Sequence, residues 1–245
     1  MPSSPATPAV RHRGPSLLAL SIVYTALFLG SLVGTAILTG GGHFPSPLDP
    51  AAALEFFRAH PQAVALNAFL QLGAAVPLAI FTATAVSRLR FLGIEAAGVY
   101  IALAGGLIAS AMSMLSGLSQ WMLTQAGVTA SADLTRGLHL LAFATGGPGF
   151  VVSFGLLVAG IAATGGISKR LPRWVMWLGL VVAAAAELSS LSVLVPQAMY
   201  LLPVACFAGI VFLIATGVSL ARTRSSRAAA TTPTTTGALQ ALPQS

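Results

Sequence analysis

Leu138–Gly165 reads LHLLAFATGGPGFVVSFGLLVAGIAATG, a run without one Asp, Glu, Lys or Arg. Crossing ~30 Å of hydrocarbon takes about 20 helical residues, so this run is long enough to span a bilayer. Five further runs share its character: Ser16–Gly40, Ala63–Val86, Ala96–Leu123, Trp174–Val195 and Tyr200–Ala221. Each is continuously apolar rather than alternating, which excludes a β-barrel, and a helix is the open-ended way to satisfy every backbone group in lipid. The expected fold class is therefore all-α, a polytopic membrane protein built as a six-transmembrane-helix bundle.

Composition points the same way. The 245 residues are 56% hydrophobic and 7% charged, with a mean hydropathy of +0.88. A soluble globule usually carries roughly 25% Asp, Glu, Lys and Arg to cover its surface. Lipid has to cover this one. Orientation follows from the positive charges, because short loops rich in Lys and Arg stay cytoplasmic. Arg11, Arg13, Arg88, Arg90, Lys169, Arg170, Arg173, Arg222, Arg224 and Arg227 fall on one side of the six runs, and only Arg58 and Arg136 on the other. Both termini are thus expected in the cytoplasm, with the bundle in the cell's inner (plasma) membrane. The pI near 11.1 then reflects topology, and nucleic acid is not expected as a partner.

Three domains of the chain are expected: a disordered cytoplasmic tail over 1–15, the transmembrane domain over 16–221, and a basic, then Ser/Thr/Pro-rich disordered tail over 222–245. The first run follows Arg11-His12-Arg13 as a signal peptide would, but 25 apolar residues exceed the usual 7 to 15 of a signal core, so it reads as a retained helix. Cys206 is the single cysteine, so no disulfide can form within the chain, and it reads as a small apolar filler. In the first outer loop Asp49-Pro50 supplies an N-cap and first turn for a short helix ending near His60-Pro61. Its Leu54, Phe56 and Phe57 are expected to lay it on the membrane surface rather than over the bundle. Asp133 and Arg136 are spaced for an ion pair in the second outer loop. Trp121, Trp174 and Trp177 fall at headgroup depth.

One acid, Glu187, lies inside a run. An ionisable group at membrane depth is expensive and is a site candidate by default. Counting back from Val195 at 1.5 Å per residue places it about 12 Å below the outer end. Gly179, Ala183, Ala186 and Ser190 share its face, so it is expected to point into the bundle. At similar depth lie Gln71 and Ser113, and His139 sits nearer the outer end of its run. Thr145-Gly146-Gly147-Pro148-Gly149 interrupts the fourth run, where proline removes a helical donor and glycines weaken the helix. These groups together suggest a polar pocket around Glu187 at a broken helix, an arrangement that transporters use. A packing reading stands beside it: a neutral Glu187 hydrogen-bonded to Gln71 or to a freed carbonyl, with His139 a structural interfacial histidine. Gly30 and Gly34 form a G-x-x-x-G of the kind that brings helices close.

Several chemistries lack their residues. There is no H-E-x-x-H or bis-histidine arrangement for a metal or haem, no G-x-S-x-G with its triad, and no P-loop or dinucleotide fingerprint. No metal, no cofactor and no catalytic residue is expected.

The segments Phe69-Leu70-Gln71, Ser87-Arg88-Leu89-Arg90-Phe91-Leu92-Gly93, Leu141 to Gly149, Leu171-Pro172-Arg173-Trp174 and Ala186-Glu187-Leu188-Ser189 resemble bacterial multi-pass membrane proteins of the domain-of-unknown-function family number 4386. The resemblance spans most of residues 16–221 and implies an integral membrane protein, with no activity to carry over. The function expected is a small transporter or solute-binding membrane subunit, with the lipid bilayer and a small solute as partners. The alternatives are a non-catalytic structural subunit and an intramembrane enzyme on a lipid-like substrate, which would lack a visible second catalytic group.

Overall fold

The computed structural model of the chain describes residues 14–222 apart from His43 and Leu48. Of the tails expected over 1–15 and 222–245, residues 1–13 and 223–245, with Arg11, Arg13, Arg224 and Arg227, lie outside the described residues. Within them the chain is helical, and no strand occurs. In order it forms α1 (Leu17–Leu38), α2 (Pro50–Ala59), α3 (Pro61–Phe91), α4 (Ala97–Met122), α5 (Ala126–Thr129), α6 (Ala132–Ala144), a π turn over Thr145–Gly149, α7 (Phe150–Ile167), α8 (Arg173–Leu188) and α9 (Leu201–Arg222). Two 3-10 turns, Ser189–Val193 and Pro196–Tyr200, join α8 to α9. Among the described residues, six spans are long and apolar enough to cross a membrane: α1, α3, α4, the α6–α7 pair, α8 and α9.

Local chemistry sets the boundaries. Ser16 caps α1 by accepting from the Ala19 amide, and Asp49 caps α2 by accepting from Ala52 with Pro50 in the first turn. The helix α3 outruns its apolar stretch by five residues, because Arg88 continues it and donates from Nη2 to the Leu220 carbonyl at 3.0 Å. Gly93, at a φ of 85°, then supplies the left-handed residue that ends it.

The spans pack in a ring in which α1 touches α3, α3 touches α4, α4 touches α7, α7 touches α8, α8 touches α9 and α9 returns to α1. Glycine sets the closest approach, as expected where lipid offers no hydrophobic drive between helices. At Gly105 a Cβ would stand 2.6 Å from the Leu157 amide nitrogen and 2.7 Å from the Ser153 carbonyl, so α4 and α7 meet backbone to backbone. Gly34 of the G-x-x-x-G faces Leu66 on α3, with a Cβ there only 2.8 Å from Leu66 Cδ2, so that motif serves a contact inside the chain. Leu78, Phe81, Phe154, Leu157 and Ile161 fill the centre and are fully buried.

Two loop expectations need correction. Instead of lying on the membrane surface, α2 folds over one end of the bundle. Ala53 and Phe57 are buried against Val64, Leu123 and Leu138, and Arg58 donates from Nε and Nη2 to the Thr129 carbonyl at 2.9 and 2.6 Å. The helix had an apolar surface to cover within its own chain, and Arg58 fastens it there. Asp133 and Arg136 are both exposed and form no ion pair. Solvation of two exposed charges competes well with so weak a pairing, and Ser131 caps α6 in their place. Trp121, Trp174 and Trp177 are all exposed, as ring anchors at a membrane boundary are.

Candidate functional site: a capped, uncharged cavity

The site begins at Pro148. Lacking an N–H, it cannot bond back to the preceding turn, and Gly147 takes the non-helical pair φ −93°, ψ −105°. The helix widens into a π turn, a common marker of functional positions. Carbonyls loosened there find side chains: Thr145 Oγ1 donates to Leu141 O at 2.7 Å, and Ser116 Oγ, from α4, donates to Ala142 O at 2.8 Å. Both bonds meet the demand that backbone groups in lipid be satisfied within the protein.

Ser116 ends a longer chain. Asn67 Nδ2 donates to Gln120 Oε1. Gln120 Nε2 donates to Gln71 Oε1 at 2.6 Å and to Ser116 Oγ at 3.3 Å, and Gln71 Nε2 donates to Ser116 Oγ at 3.3 Å. Asn67 and Gln71 are four residues apart on α3, as are Ser116 and Gln120 on α4, so each pair presents one face. Every donor runs in the same sense, from Asn67 to the Ala142 carbonyl, an arrangement in which successive bonds polarise one another. Gly146 makes room for it. A Cβ at that position would lie 3.0 Å from Ser116 Cβ and 3.2 Å from Gln71 Nε2.

This amide ladder forms one wall of a cavity of about 720 Å³ beneath α2, within the ~300–1,000 Å³ of small-molecule sites. Phe44, Phe57 and Pro47 roof it, and His139, Gly146 and Gly147 join Asn67, Gln71 and Gln120 on its walls. A smaller adjoining space of about 220 Å³ continues deeper, reaching Ser113, Phe150 and Cys206. Among the described residues, no Asp, Glu, Lys or Arg lines either space. His139 is buried, with its ring edge-to-face on Phe57 at 5.1 Å between centroids. Its imidazole makes no hydrogen bond among the described residues.

Of the residues singled out from the sequence, Gln71, Ser113, His139, Gly146 and Gly147 meet at these two spaces. Thr145 and Pro148 are buried beside them and shape the turn, and Gly149 packs against Met112. Glu187 does not join them. Its side chain is exposed on α8, with Oε1 3.5 Å from where a Cβ on Gly155 would sit. The expectation that it points into the bundle is therefore corrected. Gly179, Ala183 and Ala186 do turn inward, but Glu187 lies one step round the helix, on the border with the exposed stripe of Trp177, Val181 and Leu188. Sequence reading passed over Asn67 and Ser116 as ligand-facing groups, and it set Gln120 at the depth of Gln71 and Ser113 without counting it among the site residues. Their signal was the repeated four-residue spacing of polar side chains in two otherwise apolar runs.

Among the described residues, fold and site define an all-helical protein with six spans suited to a membrane and a capped cavity that no carboxylate, guanidinium or ammonium group lines. Compared with family models, curated proteins and solved structures, the chain matches none.

Proposed function

We propose that the protein is a membrane subunit that binds, and by that route transports, a small uncharged solute in the cavity beneath α2. The observation that carries this reading is the cavity itself: about 720 Å³, walled on one side by amides and on the others by aromatic and aliphatic groups. Desolvating an unpaired charge there would be far costlier than desolvating a hydroxyl, an amide or a carbonyl that finds a partner. His139 supplies a free ring nitrogen, and the amide ladder supplies oriented dipoles. Packing alone would explain the ladder, which satisfies itself, but it gives no reason for a roofed space with an imidazole on its wall. The same reading places the termini in the cytoplasm and the protein in the cell's inner membrane, on the charge asymmetry of the loops.

A thermal-shift panel of uncharged and charged small molecules, run on the purified full chain in lipid nanodiscs, tests it. Uncharged hydrogen-bonding compounds should raise Tm of the wild type, with little effect on Gln71→Leu or His139→Phe. Stabilisation by anions or cations alone, or an equal shift in both variants, would move the site elsewhere.

A further inference from the structure

The walls of the cavity differ around the ring. Its amides and the Ser116 hydroxyl belong to α3 and α4 and its imidazole to α6, whereas α1 and α9 contribute Phe28, Leu32, Leu202, Pro203 and Phe207, beside Ser31, whose hydroxyl is already given to the Phe28 carbonyl at 2.7 Å. Those two helices are not parallel partners along their length. Near the termini they touch backbone to backbone, since a Cβ on Gly217 would stand 3.0 Å from Leu18 Cα. Fourteen residues further along α1 is Leu32, and fourteen residues back along α9 is Pro203, about 21 Å from the contact at 1.5 Å per residue. There both residues line the cavity instead of sealing it. Leu32 and Phe207 are also 43% and 45% exposed on the outside of the bundle. The seam between the first and last spans is thus closed at the end with the termini and parted towards the α2 end, at a level where six residues of α1 still lie above Leu32. Phe28 and Phe207, edge to face at 6.2 Å between centroids, mark its lower limit. Phe57, on the helix that Arg58 fastens, covers the α2 end of the cavity, and the exposed Leu32 and Phe207 mark where its α1–α9 wall borders lipid.

We propose that the ligand reaches this cavity sideways from the bilayer through the α1–α9 seam, and is a neutral single-tailed amphiphile: its head lies against His139 and the amide ladder, and its tail runs out between Leu32 and Phe207. This rests on the cavity being the binding site and adds the route and the chemical class. A hydroxyl or carbonyl head meets hydrogen-bonding partners on α3, α4 and α6, and an apolar tail meets rings and aliphatic side chains at the seam. A carboxylate head would meet no cation.

The test uses the full chain in phosphatidylcholine nanodiscs, with a diazirine-bearing hexadecanol as photoactivatable probe and peptide mass spectrometry to locate the adducts. Labelling should fall on Phe28, Leu32, Gly147 and Phe207 and their neighbours, and excess hexadecanol should compete it away. Leu32→Trp and Phe207→Trp, at exposed positions that tolerate bulk, should each lower it about tenfold. Leu29→Trp, exposed on α1 but off the cavity, should leave it unchanged. A diazirine butanol added from water reads the cavity independently of route. If butanol labels the cavity and the hexadecanol probe does not, or both seam variants leave hexadecanol labelling intact, the lateral route is wrong while the cavity reading stands. If neither alcohol labels it, both readings fall. A diazirine palmitic acid, ionised at pH 8, that labels as well as the alcohol would overturn the neutral head.

Discussion

Gly146 and Glu187 carry opposite lessons at the scale of single residues. Gly146 looks like a helix breaker in the sequence, yet its consequence lies in what its missing side chain admits. A methyl group there would press on Ser116 and Gln71 and part the ladder from the π turn. Gly146→Ala should therefore cost about 1–3 kcal/mol, the range of overpacking in a close-fitted core, and lower Tm in thermal unfolding followed by tryptophan fluorescence. An unchanged Tm would mean that the ladder yields without loss. Glu187→Gln should behave in the opposite way. The side chain is exposed and makes no side-chain hydrogen bond, so stability should stay within about 0.5 kcal/mol, as for most surface changes, and cavity ligands should bind as before. Loss of binding in that variant would restore the acid to the site. The sequence could not place Glu187 because it sits 100° from Ala186 on a helical wheel, at the border of the inward face, and hydropathy alone does not say on which side of a border a side chain falls.

Among the elements, α2 and the α4–α7 contact decide whether the cavity keeps its roof and its frame. The capping signals of α2 are plain in Asp49-Pro50, and so is its pair of phenylalanines, but nothing local distinguishes a helix resting on lipid from one resting on its own bundle. That difference lives in long-range pairing: Arg58 with the Thr129 carbonyl, and Phe57 with His139. Arg58→Ala should release the roof while leaving the spans intact. Amide exchange across 50–59 should then rise while exchange in α4 and α7 stays slow. Equal protection in the variant would show that Phe57 and Ala53 alone hold the cap. For α4 and α7, Gly105→Val should be far worse than a change in the cap, because the added atoms meet backbone rather than the end of a flexible chain. Loss of the monodisperse peak in detergent gel filtration is the expected result, and an intact peak would mean that the two helices can slide apart.

For the molecule as a whole, the six spans are legible from length and composition because hydrocarbon imposes one rule on every segment, whereas the cavity depends on which faces meet and is legible only in part. Gln71, His139 and the Gly-Gly-Pro-Gly break stand out as polar or irregular features in apolar runs. Asn67, Ser116 and Gln120 stand out less, because a polar residue near the end of a span is common, and only their mutual spacing marks them. Orientation is a further property of the whole. An even number of spans puts both ends of the bundle's chain on one side, and the loops at that end hold Arg88, Arg90, Lys169, Arg170 and Arg173, against Arg58 and Arg136 at the capped end. On the orientation proposed above from the positive-inside rule, the capped end with the cavity roof is expected outside the cytoplasm. A fluorescent protein fused after Ser245 should glow in cells, and alkaline phosphatase fused after Gln125, in the loop beside α5, should be active. The reverse pattern would put the roof in the cytoplasm, and the cavity would then be filled from the other leaflet. Replacing Arg88, Arg90, Lys169, Arg170 and Arg173 together by Gln reverses the asymmetry of the bundle's loops, leaving Arg58 and Arg136 opposed only by the charges of the tails, and should yield a mixture of the two orientations.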